Sequence, residues 1–409
     1  MNVLFLNAYF KPEVIAFTHL EEDIISGLIK TGHKIEVVCP VPSRGVDKKT
    51  IKTYKKKKKE SLYDGKVNVR RFSCPRERKN PIARAFRYFW CNFKEYHLAK
   101  KYKEIDVVFA VSTPPTQGFL CAKVAKKLSK KYKKKVPFIY NLQDIFPDSL
   151  VTTGLTKKGS LLWKIGRKIE NYTYRNADRI IVISESFKNN LLAKNVPEEK
   201  IIVVQNWVDV DTVQPIERKD NRLISEYNVD ATKFIVVYAG NFGSAQGAHI
   251  ILEVAGILKE QEDIQFVIFG GGANFEQVKT LATQMDNVIV DYLLPSDRIS
   301  EVYSLGDVAL ITCKKGVGNS GMPSKTWSIM ACNTPIIASF DKDSELEQII
   351  TSAKAGVVVE PEDAKALSDA ILEMKNEKFT SNGREYVLEH ASKQVCTEKY
   401  IQVIKDSLN

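Results

Sequence analysis

Short β-branched apolar runs alternate with longer stretches of helical periodicity along this chain, and the pattern starts afresh in its second half. The spacing predicts strands over residues 3–7, 34–39, 67–72, 106–111, 138–141, 179–184 and 201–204. Helices are expected between them over 20–31, 80–103, 117–134, 157–175 and 185–194. From residue 234 the same alternation resumes, with strands over 234–239, 265–269, 288–290, 308–312, 335–338 and 356–359. Strands of this kind separated by helix-length segments form mostly parallel sheets covered on both faces. At 409 residues the chain exceeds what one core usually serves, so the repetition reads as two doubly wound domains. Residues 206–214 read as the linker between them.

In such sheets ligands sit at the carboxyl ends of the strands. Three glycine-bearing loops follow strands directly: GNFGSAQG at 240–247, GGG at 270–272, and GVGNSGMPSK at 316–325. Neither GNFGSAQG nor GGG has the spaced glycines of a dinucleotide fingerprint, which disfavours a nicotinamide cofactor. The third loop runs into a helix start with Pro323, Ser324 and Lys325. Unpaired backbone N–H groups and a lysine there suit a phosphate, although an ordinary loop–helix–strand connection accounts for the same residues equally well. No CxxC or Cys/His spacing implies a metal, and seven scattered cysteines fit free thiols better than a disulfide framework.

Charge is unevenly placed. Residues 1–215 hold 42 Lys/Arg against 21 Asp/Glu, whereas the remainder holds 19 against 28. Residues 48–59, KKTIKTYKKKKK, read as a lysine loop containing Lys55, Lys56 and Lys57. The following helix mixes Arg84 and Arg87 with Trp90 and five further aromatics. Basic side chains interleaved with rings suit an anionic membrane surface; a solvated loop beside a helix with its aromatics in the core is the competing reading. No nucleic-acid module accompanies the charge. No run is long and apolar enough to span a bilayer, and the first ten residues read as a strand rather than a leader.

Taken in order, NAYFKPE, GHKIEVV, NADRIIVIS, PEEKIIVVQNWVD, YAGNFGSAQG, VIFGGG and MACNTPIIA resemble the family 4 glycosyltransferases. STPPT at 112–116 and LQDIFPD at 142–148 resemble the bacterial branch that handles fucosamine-type and other surface-polysaccharide sugars. The resemblance implies the GT-B fold, two Rossmann-like α/β domains facing across a cleft. The acceptor domain is then residues 1–205, with a last helix within 389–409 packing back on it, and residues 206–388 bind the nucleotide sugar. It implies a retaining transfer from a UDP-sugar to a lipid-linked or glycan acceptor in capsule, exopolysaccharide or lipopolysaccharide synthesis, without metal. A cytoplasmic protein peripheral on the inner face of the plasma membrane is expected. UDP-sugar epimerases share this architecture, and a non-catalytic scaffold is the third possibility.

The family pattern departs in several places. Its two donor-site glutamates fall on Ser320 and Ser328, its Arg and Lys on Asn241 and Gln246, and its His on Gln143. The leaving diphosphate still needs neutralising, and Lys325 is the candidate, aided by main-chain N–H groups from Gly321 onward. The resemblance further implies that Gly240, Asn241, Phe242, Gly243 and Gln246 approach the diphosphate, Gly271 and Gly272 the nucleotide, and Tyr292 and Leu293 the base. Asn319, Ser320, Ser324 and Ser328 complete the donor set. Asp144 is the candidate acid/base group for the acceptor hydroxyl, with a structural loop carboxylate as the alternative.

Overall fold

The structure, a computed structural model, describes residues 1–13, 17–76, 80–152, 154–243, 245–318 and 322–408. It divides into two compact units, Met1–Gln205 with Cys396–Asn409, and Asn206–Val395.

Unit 1 is built on eight strands, β1 (Asn2–Leu6), β2 (Lys34–Pro40), β3 (Lys59–Leu62), β4 (Val67–Phe72), β5 (Val107–Val111), β6 (Phe138–Leu142), β7 (Arg179–Val182) and β8 (Ile201–Val203). They lie in the order β3-β4-β2-β1-β5-β6-β7-β8. Only β3 is antiparallel to its neighbour. Interior strands such as β5 and β6 are buried at every position, as strands covered on both faces must be. The connecting helices are α1 (Thr18–Lys30), α2 (Lys48–Lys56), α3 (Pro81–Ala99), α4 (Gln117–Tyr132), α5 (Asp148–Thr152), α6 (Leu161–Asn176) and α7 (Glu185–Ala193). Helix α4 packs between α3 and α6.

Unit 2 is a six-stranded parallel sheet of β9 (Phe234–Asn241), β10 (Ile264–Gly271), β11 (Val288–Tyr292), β12 (Val308–Thr312), β13 (Ile336–Ser339) and β14 (Gly356–Val359). Their order is β11-β10-β9-β12-β13-β14, so the chain reverses direction across the sheet between β9 and β12. Its helices are α8 (Leu223–Glu226), α9 (Ile250–Ile257), α10 (Phe275–Ala282), α11 (Ile299–Leu305), α12 (Lys325–Ala331), α13 (Glu345–Ser352), α14 (Ala364–Glu377) and α15 (Gly383–His390). The last helix, α16 (Lys393–Asp406), starts in unit 2 and ends in unit 1. There the Tyr400 hydroxyl donates to Asn141 Oδ1 on β6 at 3.1 Å. The Tyr400 ring lies 6.3 Å from Phe109 on β5. Gly27 on α1 leaves room for Ile401, whose Cδ1 a methyl at Gly27 would meet at 2.8 Å.

Two expectations are corrected here. The lysine run is not a loop: residues 48–56 form α2, because Asp47 caps it by accepting from the Thr50 N–H at 2.6 Å and lysine is a good helix former, while Lys59 opens β3. Nor is 206–214 a free linker. Trp207, Val208 and Val213 are buried, and Val208 bridges to Ser392. The seven cysteines are free.

Candidate functional site

In unit 2 the reversal between β9 and β12 opens a crevice at the carboxyl ends of those strands, where an open parallel sheet binds its ligand. Register sets Gly270 beside Gly240 and Gly271 beside Asn241, with Tyr292 beside Gly270 on the far side. The expected donor loops therefore end at one level. The loop after β9 folds over the end of β12: the Lys314 N–H donates to the Ala245 carbonyl at 3.0 Å, and a methyl at Gly247 would meet the Cys313 carbonyl at 3.1 Å.

Lys325, the first residue of α12, reaches into this crevice. Its Nζ sits 4.0 Å from the centroid of the Tyr238 ring, and a methyl on Gly240 would fall 2.5 Å from it. The residue is half-buried, and its ammonium has no hydrogen-bond or ion-pair partner among the described residues. Burial lowers its pKa to about 7. A cation held there without an anion is poised to take one.

The polar side chains that replace the family's usual cations lie on the loop after β9, close to Gly243 and Gly272. A methyl at Gly243 would lie 2.8 Å from Gln246 Oε1 and 3.1 Å from Asn241 Nδ2. Gly272, at φ +101°, allows Asn241 Oδ1 to approach so closely that any Cβ there would overlap it. Phe242 contributes differently from its neighbours. Its N–H donates to the Gly271 carbonyl at 2.7 Å, and its buried ring packs against Tyr238 and Phe275. It therefore fixes the loop from below. Tyr292 and Leu293 are half-exposed at the rim; the Leu293 N–H donates to Gly270 at 2.9 Å and the Tyr292 hydroxyl to Glu276 at 3.0 Å. Ser324 is exposed and makes no capping bond, and Ser328 lies on α12 one turn beyond Lys325. Asn319, Ser320 and Gly321 lie outside the described residues.

Asp341, two residues past the end of β13, was missed from sequence. Its carboxylate accepts from the N–H groups of Gly316 at 2.9 Å and Gly318 at 2.7 Å, tying down the loop that leads to α12. An acidic residue just past a strand end was the available signal. Tyr238 was missed because inside a strand it reads as core.

In unit 1 the QD pair after β6 is held by the STPPT segment. Ser112 Oγ accepts from both the Gln143 N–H at 2.9 Å and the Asp144 N–H at 3.2 Å. The Gln143 amide donates to Asn141 Oδ1 at 3.0 Å, the atom that Tyr400 also reaches. The Asp144 carboxylate stands at the surface and accepts from the Ser149 hydroxyl at 3.2 Å. The protein packed about it raises its pKa above the ordinary carboxylate value, against the lowering effect of that bond.

Of the basic and aromatic set, Lys55, Lys56 and Lys57 are exposed on and just past α2, and Arg84 is exposed on α3. Trp90 is half-buried, its Nε1 donating to the Ser73 carbonyl at 3.2 Å. Phe86, Phe89 and Phe93 stand out from α3 at 57%, 68% and 45% exposure, so they do not fill the core. Arg87 is the correction: it is fully buried, stacked 5.2 Å over Tyr9 and donating to Ser43 Oγ at 3.0 Å. Its place on α3 turns it inward, where burial opposes its charge and the Tyr9 ring and Glu13 favour it. No group of His, Cys, Asp or Glu among the described residues could hold a metal ion, and no helix among them is long and apolar enough to cross a membrane.

Such a site in the second of two Rossmann-like units defines a nucleotide-sugar-type transferase fold of the GT-B class. Residues 22–212 match the model for glycosyltransferase family 4 and residues 219–394 that for glycosyl transferases group 1. The chain belongs to the family 4 glycosyltransferases and is a glycosyltransferase related to bacterial surface-polysaccharide enzymes. It is 27% identical over 348 residues to a protein of Pseudomonas aeruginosa described as the probable glycosyltransferase WbjE, spanning 83% of this chain and 84% of that one. The capsular polysaccharide biosynthesis glycosyltransferase CapM of Staphylococcus aureus is 23% identical over 236 residues, 54% of this chain and 60% of its own. Among solved structures, Anabaena Alr3699/HepE in complex with UDP superposes with a TM-score of 0.69 at 15% identity, covering 99% of this chain and 100% of that one.

Proposed function

We propose that this chain transfers a sugar from a UDP-sugar to a lipid-linked acceptor in bacterial surface-polysaccharide assembly, with retention of anomeric configuration. The observation that carries the reading is the Lys325 ammonium, without a hydrogen-bond or ion-pair partner among the described residues, held against Gly240 and Tyr238 at the β9/β12 reversal, on the same strand-end loops that bring Asn241 against Gly272. UDP in the HepE complex and the polysaccharide role in the CapM name support the donor and the process.

In this reading Lys325 neutralises charge that grows on the diphosphate as the glycosidic bond breaks, helped by the Asn241 and Gln246 amides. The close backbone at Gly240 and Gly272 admits the diphosphate and nucleotide, Tyr292 and Leu293 border the base, and Ser328, with Asn319, Ser320, Gly321 and Ser324, completes the donor pocket. The acceptor hydroxyl attacks the anomeric carbon on the face from which UDP departs. Its proton passes to the departing β-phosphate, and Asp144 orients the hydroxyl. Residues 1–205 with the last helix hold the acceptor, and 206–388 the donor. The exposed cations Lys55, Lys56, Lys57 and Arg84, with Trp90 and the protruding phenylalanines of α3, favour a peripheral position on the anionic inner face of the plasma membrane.

A panel of UDP-sugars screened by thermal shift, followed by UDP release on adding lipid-linked acceptor, tests the proposal. The preferred donor raises Tm and releases UDP only with acceptor. A protein whose melting ignores UDP and every UDP-sugar would sink it.

A further inference from the structure

Helix α6 carries an apolar surface that stands exposed among the described residues. Leu161 and Leu162 are 75% and 51% exposed, Ile165 47%, and Leu155, just before the helix, 71%. Leu161, Leu162 and Ile165 lie at i, i+1 and i+4 and so share one side of the helix. The packed side is different, formed by Gly166, Glu170, Thr173 and Tyr174. A folded helix end is guaranteed by Ser160, whose Oγ accepts from the Trp163 N–H at 3.2 Å. The apolar side is therefore presented, not frayed.

Its electrostatic surroundings are one-sided. Residues 149–169 contain Lys157, Lys158, Lys164, Arg167 and Lys168 and no acidic residue. The four lysines are exposed and make no ion pair among the described residues, while Arg167 is paired with Glu170. Leucines and isoleucine beside unpaired lysines match the boundary of an anionic bilayer, where acyl chains accept the former and headgroups the latter.

The position links this surface to the acceptor chemistry. Gly166 lets α6 close on the segment after β6: a methyl there would meet Pro147 Cβ at 2.8 Å and Phe146 at 2.9 Å. Asp144 is two residues before that contact. We infer that the N-terminal half of α6, with Leu155, is a second lipid-facing element, separate from α3, that seats unit 1 on an anionic bilayer with Asp144 beside the headgroup layer. The inference rests on the reading of a lipid-borne acceptor and names the surface that meets the lipid.

The test is flotation of the full chain with phosphatidylglycerol–phosphatidylethanolamine vesicles and with phosphatidylcholine vesicles. Wild-type protein is expected to float with the anionic vesicles and less so at high salt. The triple variant Leu161→Ser, Leu162→Ser, Ile165→Ser is expected to bind about tenfold or more weakly. Leu281→Ser, which removes a 49%-exposed leucine from unit 2, is expected to bind as wild type. Should the triple variant melt, Lys164→Gln with Lys168→Gln reads the same surface and is expected to weaken anionic binding about tenfold. Equal flotation of the α6 variants and wild type overturns the α6 assignment and leaves the membrane reading standing. Wild type that floats with neither vesicle overturns both. A lipid-free dimer that the triple variant dissociates identifies a second copy as the occupant and also overturns the inference. UDP binding, read by titration calorimetry, stays unchanged in every arm and tests the donor reading separately.

Discussion

The Lys325 ammonium lies 4.0 Å from the centroid of the Tyr238 ring and 2.5 Å from where a methyl on Gly240 would sit, so a residue from α12 and two from β9 form one unit. Lys325→Met keeps the packing and removes the charge. We expect a fall of about 10²–10³ in kcat with little change in Tm, as for removal of one electrostatic stabiliser of a transition state. Steady-state UDP release with acceptor measures it. A loss below about tenfold would remove Lys325 from the chemistry.

The depressed pKa of Lys325, about 7, gives a signed pH effect. An ordinary lysine, as in the unfolded chain, keeps its proton to about pH 10.4. Between those values the unfolded state binds more protons, so this group's contribution to stability rises with pH from about 7 toward 10. UDP should reverse the shift by restoring the ammonium. Titration calorimetry at pH 8 in buffers of different ionisation enthalpy is expected to show proton uptake on UDP binding, absent in Lys325→Met.

Gly272→Ala should act on the site without emptying the core. Its positive φ and the overlap of any Cβ with Asn241 Oδ1 force the Asn241 amide away. The expected result is UDP affinity reduced by about tenfold or more and a stability loss of about 1 kcal/mol. Calorimetry and a urea melt read the two effects.

Glu95 on α3 is fully buried, accepts from the Gln117 amide at 3.0 Å, and has its pKa raised to about 8 by burial. A raised carboxyl favours the fold while protonated: the contribution is present below about pH 4.5 and is lost as pH climbs toward 8. Glu95→Gln is therefore expected to raise Tm at pH 8 and above and to leave it nearly unchanged at pH 5. Equal shifts at both pH values would show that Glu95 is not the titrating group.

Much of the fold was legible because parallel strands buried on both faces, like β5 and β6, announce themselves as short apolar runs between helices. The donor loops were legible as glycines placed directly after such runs. What sequence hid was direction. Arg87 and Phe89 are neighbours in one basic, aromatic helix, yet one is wholly inside and the other 68% exposed, because the periodicity of a helix with aromatics on several sides does not declare its buried side. Lys48–Lys56 looked like a loop since nothing apolar marked a packed face, and the helix rests instead on its Asp47 cap. Asp341 offered only the weak signal of an acidic residue past a strand end, because its partners are backbone N–H groups, which every sequence possesses.

The path of α16 has a consequence for synthesis. Unit 2 is one uninterrupted stretch, Asn206–Val395, whereas unit 1 lacks the side chains that Phe109, Asn141 and Gly27 receive until Tyr400 and Ile401 have been made. On the ribosome, the domain encoded second can therefore finish first. The first must wait with an open seam, and a stop codon before residue 400 would leave that seam unclosed.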